Sequence, residues 1–172
     1  MVKLEFTRFY TIEERKMKTA IRYCCIHLVA AILLTTCLSA QAAEPDSADM
    51  IQYRKNVMQA RRAHVKAATL IIQGKVDFQS QLIDHARALE ALNKDTASLF
   101  PNGSDVGETG AMRSVWNNNN EFIKRSKDTA QKAAKFAKTV AAGDTQNYSA
   151  HLTELLDSCK YCHKDFRKKE AK

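Results

Sequence analysis

The sequence predicts an all-α protein, an antiparallel up-down four-helix bundle, and three observations carry that prediction. Apolar residues recur at spacings of three, four and seven along four long stretches. Glycine and proline are scarce, 5 and 2 in 172 residues, which disfavours a turn-rich β fold. The breaks between stretches carry Gly, Pro, Asn and Asp, the residues that end helices and begin turns. With 45% hydrophobic and 27% charged residues, the chain holds enough apolar material for one globular domain.

The N-terminal segment has to be set aside before the helices are read. An apolar run from about Ile26 to Ala40 follows Lys18 and Arg22 and runs into Ala40-Gln41-Ala42, a small-x-small cleavage pattern. Residues 1–42 therefore read as a secretory signal region. The run is shorter than the ~20 residues of a transmembrane helix, so no membrane insertion is expected once it is removed. Glu5, Glu13 and Glu14 do not suit the basic opening of such a segment, whereas Met17-Lys18 does, which makes Met17 the expected start. Cleavage after Ala42 leaves residues 43–172 with 21 basic and 16 acidic side chains, a net charge of +5 in place of the +8 of the whole chain. That excess suits an acidic redox partner or an anionic surface; with no concentrated basic patch, no nucleic-acid partner is expected. Cys24, Cys25 and Cys37 leave with the signal region. Cys159 and Cys162 stay, and an oxidising compartment does not leave two thiols idle.

The first helix runs from about Ala48 to Gln73 and repeats an apolar pair every seven residues: Met50/Ile51, Val57/Met58, His64/Val65 and Ile71/Ile72. Gly74 is its natural C-terminal cap. The second opens at Asp77, a good N-cap, and carries Phe78, Leu82, Ala86, Leu89, Leu92 and Leu99 on one side before Pro101 stops it. Residues 101–110 read as a loop, prolonged through Trp116 and Asn117 to Asn120. A third helix spans roughly Asn120 to Ala142 with Phe122, Ile123, Ala130, Ala133, Ala137 and Val140 inward, and ends at Gly143. Asp144 caps the fourth, about Thr145 to Lys168, whose apolar positions are Tyr148, Leu152, Leu155, Cys159, Cys162 and Phe166. Helices of about 22 residues span ~33 Å, and short connections make neighbours antiparallel. Many of the core positions are Ala, which leaves room between the helices.

Cys159-Lys160-Tyr161-Cys162-His163 is the Cys-x-x-Cys-His attachment signature of c-type haem. Chance would produce it in roughly 0.4% of chains of this composition. On a helix the three residues fall at i, i+3 and i+4, nearly on one face. The two thiols can form thioethers with haem vinyl groups while the His163 imidazole ligates the iron, so one covalent haem c is expected inside the bundle. Nine residues follow His163, so any second axial ligand must come from upstream. Antiparallel geometry brings the start of the first helix to the level of His163, where Met50 and Met58 lie. His64 is about 16 Å off that level, and His151 shares a helix with His163. A bis-histidine site would need His85 to come unexpectedly near.

On these residues the chain resembles the cytochrome c prime family, the four-helix class of c-type cytochromes. The matching stretches are Tyr53 to Met58, Gly74 to Phe78, Leu99 to Pro101 with Gly103-Ser104, Trp116, Phe122, and Cys159 to Arg167, covering about residues 49 to 169. The resemblance implies an exported, periplasmic homodimer with its first two helices at the contact, and His163 as the proximal ligand. It also implies that Met58 faces the distal side, that Arg54 pairs with a haem propionate, and that Arg167 stands beside the proximal pocket. In one branch of the family a methionine at this position ligates the iron of a low-spin electron carrier. In the other, the side chain blocks the distal face of a five-coordinate, high-spin iron that binds nitric oxide.

The expected function is thus periplasmic one-electron transfer through a covalent haem, with redox proteins as partners. The alternatives are a high-spin haem protein that binds nitric oxide, and a haem-free thiol or zinc-binding helical protein. The sequence has no Ser/His/Asp constellation, phosphate-cradling loop or metalloprotease motif, and no enzymatic turnover is expected.

Overall fold

A computed structural model describes residues 46–169. The signal region 1–42, the start at Met17 and cleavage after Ala42 lie outside the described residues. Four main helices make an up-down-up-down bundle: α1 Ser47–Ile72, α2 Leu82–Asn93, α3 Asn119–Ala141 and α4 Tyr148–Phe166. Consecutive helices pack closely against each other, whereas α1 and α4 touch only sparsely. Among the described residues no helix is long and apolar enough to cross a membrane.

The helix ends follow local chemistry. Asp46 opens α1 by accepting the Ala48 N–H at 3.2 Å, which satisfies one of the orphan donors of the first turn. At the other end Gly74 takes φ +65°, so that its N–H reaches the Ile71 carbonyl and the Lys75 N–H reaches that of Leu70. Gly143 repeats the arrangement after α3, with φ +68° and bonds to Val140 and Thr139. Both positions need a backbone conformation that glycine adopts without steric cost.

The second helix is shorter than the pattern of apolar residues predicts. Asp77 makes no cap; a 3-10 turn at Gln79–Gln81 precedes α2, and Phe78 is 54% exposed. At its far end the Asn93 amide donates back to the Leu89 carbonyl at 2.7 Å, and the Asp95 carboxylate accepts the Ser98 N–H, starting a separate 3-10 turn at Ala97–Leu99. Leu99 is still buried, but from that turn rather than from α2. The expected loop contains a one-turn helix, Ser114–Asn117, which buries Val115. Another 3-10 turn, Thr145–Asn147, leads into α4, and the Asp144 carboxylate accepts from the Asn147 side chain instead of capping the helix.

Two apolar clusters occupy opposite ends of the bundle. The larger joins Ala68 and Ile71 of α1, Leu82, Ala86 and Leu89 of α2, Phe136 and its neighbours on α3, and Leu152 and Leu155 of α4. Phe136, absent from the inward face read off the sequence, is its largest fully buried side chain. The smaller cluster gathers Ala111, Val115, Phe122 and Phe166, with Phe100, Trp116 and Cys162 packed on it. The end of α4 is tied to the preceding loop: Met112 N–H donates to the Phe166 carbonyl and Lys168 N–H to that of Gly110.

Candidate functional site

Where α1 and α4 part, a cavity of about 580 Å³ opens between them. Its size lies within the range of roughly 300–1,000 Å³ usual for cofactor pockets. All six residues singled out from the sequence line it: Arg54 and Met58 from α1, Cys159, Cys162 and His163 from α4, and Arg167 just beyond. Met50 does not line it, so of the two methionines at the expected level only Met58 reaches the cavity. His64, His85 and His151 are also elsewhere; His64 and His85 face each other across α1 and α2 with Nδ1 atoms 2.9 Å apart, and His151 meets the Thr139 hydroxyl.

The motif residues share one wall because α4 is regular from Cys159 through His163, which places i, i+3 and i+4 together. Burial raises both thiols above their ordinary range, Cys162 to about 11, so they stand protonated at neutral pH. That is the opposite of an activated redox thiol, whose thiolate is favoured by nearby cations and a helix N-terminus. Burial, then the charges of Arg167 and Arg61, lower the pKa of His163. Its imidazole is therefore neutral, the form that ligates a metal.

A second α4 contact keeps this wall in place. Arg125 of α3 donates to the Tyr161 carbonyl at 3.0 Å, to Asp165 at 2.7 Å and to Glu121 at 2.9 Å, and lies 3.9 Å over the Tyr161 ring. Across the cavity, Arg54 is 4% exposed and spends its Nη donors on the loop after α2. They reach the Leu99 carbonyl, the Ser104 hydroxyl and carbonyl, and the Thr109 hydroxyl, over distances of 2.7–3.1 Å. Its guanidinium also rests 4.5 Å from the Phe100 centroid. Every acceptor is neutral, so the charge of Arg54 stays uncompensated.

Sequence reasoning missed Arg61, which stands one turn beyond Met58 and also lines the cavity. Its Nη1 donates to Met58 Sδ at 3.6 Å, and Nε and Nη2 both donate to the Leu92 carbonyl. The spacing from Met58 placed it on the same face, but Arg61-Arg62 reads as two solvated charges until α2 is seen to end beside it. Among the described residues the lining carries five cationic side chains, Arg54, Lys55, Arg61, Arg62 and Arg167, and no carboxylate. Two thiols and a neutral imidazole on one wall, aromatic rings at the closed end and surplus positive charge together fit a porphyrin that bears two carboxylates and an iron. The same residues do not fit a zinc cage: among the described residues no group of three or more His, Cys, Asp or Glu side chains is arranged to hold a metal ion by itself.

A family model described as Cytochrome C' matches residues 49–167. A cytochrome c' from Rhodospirillum rubrum is 32% identical over 142 residues, covering 81% of this chain and 95% of that protein. Among solved structures, a cytochrome c prime from Shewanella frigidimarina superposes with a TM-score of 0.69 at 25% identity, over 73% of this chain and 99% of its own. A nitric oxide complex of a mutant cytochrome c prime from Alcaligenes xylosoxidans gives 0.68 at 22% identity, over 74% and 100%, a likeness of fold.

Proposed function

The chain belongs to the cytochrome c' family, and from that premise we propose that residues 43–172 form an exported, periplasmic haem protein whose function is one-electron transfer. One haem c is held through Cys159 and Cys162 with His163 as its proximal ligand; bound there, it supplies a one-electron iron couple and one further coordination position. The observation that carries this reading is the convergence of those three residues on one wall of a cavity lined by cations and no carboxylate.

Each side chain then has a task set by its surroundings. Arg54 holds the loop from Leu99 to Thr109 closed over the cavity and offers its uncompensated charge to the haem carboxylates. Arg167, directly after α4, adds positive charge on the His163 side. Phe100, Phe122 and Phe166 exclude water from the closed end. Homodimerisation through α1 and α2 belongs to the same reading, with Leu70 of α1 among the large apolar side chains left exposed.

One observation favours nitric oxide binding as a second reading. The Met58 sulfur already accepts a hydrogen bond from Arg61, which draws a lone pair away from the role of iron ligand. A related protein has been captured with nitric oxide bound.

The test is intact-mass analysis and absorption spectroscopy of the protein exported from a strain competent in cytochrome maturation. The expected mass is that of the polypeptide from Ala43 plus one haem. A methionine-to-iron charge-transfer band that disappears in Met58→Ala would favour the electron carrier, and a high-spin spectrum that shifts on adding nitric oxide the second reading. A bare polypeptide mass would overturn both.

A further inference from the structure

Arg61 is held by three hydrogen bonds, and both of its acceptors are neutral. The Leu92 carbonyl is one of the last four of α2, which have no partner within their own helix. The other acceptor is the thioether of Met58. The guanidinium is therefore fixed in place with its charge whole, and a guanidinium does not discharge at physiological pH. The guanidinium lines the same cavity as Cys159, Cys162 and His163 on the facing helix. Of the cavity's five cations, Arg61 alone hydrogen-bonds to the Met58 sulfur on α1.

We propose that Arg61 sets the redox equilibrium of the site, as a fixed and uncompensated cation that favours the reduced, less positive state of a haem held by Cys159, Cys162 and His163. The inference rests on the haem reading above. The step itself is one electron passing from an external one-electron donor protein to the iron; no bond forms or breaks and no proton moves at Arg61. A cavity of this volume is on the order of 10 Å across. At that distance and an effective dielectric of ~20, one unit charge changes a redox equilibrium by about tenfold.

The experiment measures reduction potential in wild type, Arg61→Gln and Arg61→Lys, each also in a Met58→Leu background so that sulfur ligation is not a variable. Gln keeps an N–H for the Leu92 carbonyl, and Arg61→Met serves as a second neutral variant should Gln fold poorly. The neutral variants are expected to lower the reduction equilibrium constant about tenfold, about 59 mV for a one-electron couple. Arg61→Lys stays within about twofold of wild type. Because solvent screens a partly buried charge weakly, the difference should persist from about 0.01 M to about 1 M salt, whereas Arg62→Gln should give a smaller shift that salt removes. Equal potentials for neutral and cationic variants in the Met58→Leu background, or a shift abolished by salt, would overturn the role of Arg61 with haem still attached. Loss of the haem mass from wild type would sink the haem reading, and this inference with it.

Discussion

The contact between His64 and His85 exists only while one ring offers a lone pair to the other. With Nδ1 atoms 2.9 Å apart, one imidazole donates and its neighbour accepts; once both rings are protonated, both Nδ1 atoms are donors and two positive rings stand face to face. Burial, then the charge of His85, lower the pKa of His64 from its ordinary 6.5. The folded value lies below the unfolded one, so as pH drops the unfolded chain takes up the proton first. The stability this pair contributes is therefore complete above about pH 6.5 and is lost as pH falls through the folded value. Urea midpoints measured between about pH 7.5 and 5 should fall on acidification, and the slope should be shallower in His64→Gln and in His85→Gln. Parallel slopes in all three proteins would assign the acid sensitivity to other groups. The pair was hard to see in the sequence, because His64 lies in the apolar repeat of α1 and its partner is 21 residues away on another helix. The haem motif was easy to see for the converse reason: Cys159, Cys162 and His163 need only the local period of one helix to come together.

Helices and their junctions show where a sequence pattern stops being informative. Gly74 and Gly143 marked the ends of α1 and α3 because each turn demands a positive φ, and few residues other than glycine accept it. The limits of α2 were hidden because the apolar spacing continues through the 3-10 turns on either side, while the competing bonds of Asn93 and Asp95 are made by short polar side chains. Arg125 is the clearest case of an element held by a residue that no pattern identifies. It pins the last turns of α4 to α3 through Tyr161, Asp165 and Phe166. Its ion pairs are partly solvated, and its ring contact is a cation–π interaction, so the whole clasp contributes roughly 1–2 kcal/mol. Arg125→Gln is expected to lower the unfolding free energy measured in urea by that amount, seen as a lower midpoint at unchanged slope, with little change in the far-ultraviolet circular dichroism of the bundle. A midpoint unchanged from wild type would mean that the α3–α4 apolar contact alone secures the end of α4.

At the scale of the molecule, apolar burial and positive charge are divided between the two ends. One end is close-packed around Phe136, Leu155, Leu89 and Ile71, each at most 2% exposed. At the other end α1 and α4 stand apart around the cavity, whose lining among the described residues carries five cations, with Lys55, Arg62 and Arg167 exposed at its rim, and no carboxylate. The haem proposed there would bring two carboxylates to those cations and packing partners to the rings that line the cavity, so that end depends on it. Hydrogen exchange in a Cys159→Ser/Cys162→Ser chain made without haem, compared with the loaded protein, measures that dependence. Amides of α1 from Ile51 to Met58 and of α4 from Cys159 to Phe166 should lose at least about tenfold in protection, as expected for a locally opening unit. Those of Ala68 to Ile71, Ala86 to Leu89, Ala133 to Val140 and Leu152 to Leu155 should keep most of theirs, because their cluster closes without the cofactor. Uniform loss along all four helices would give a different physical picture: the packed end would then be too small to fold alone, and filling the cavity would be a condition for the whole bundle rather than for one end of it.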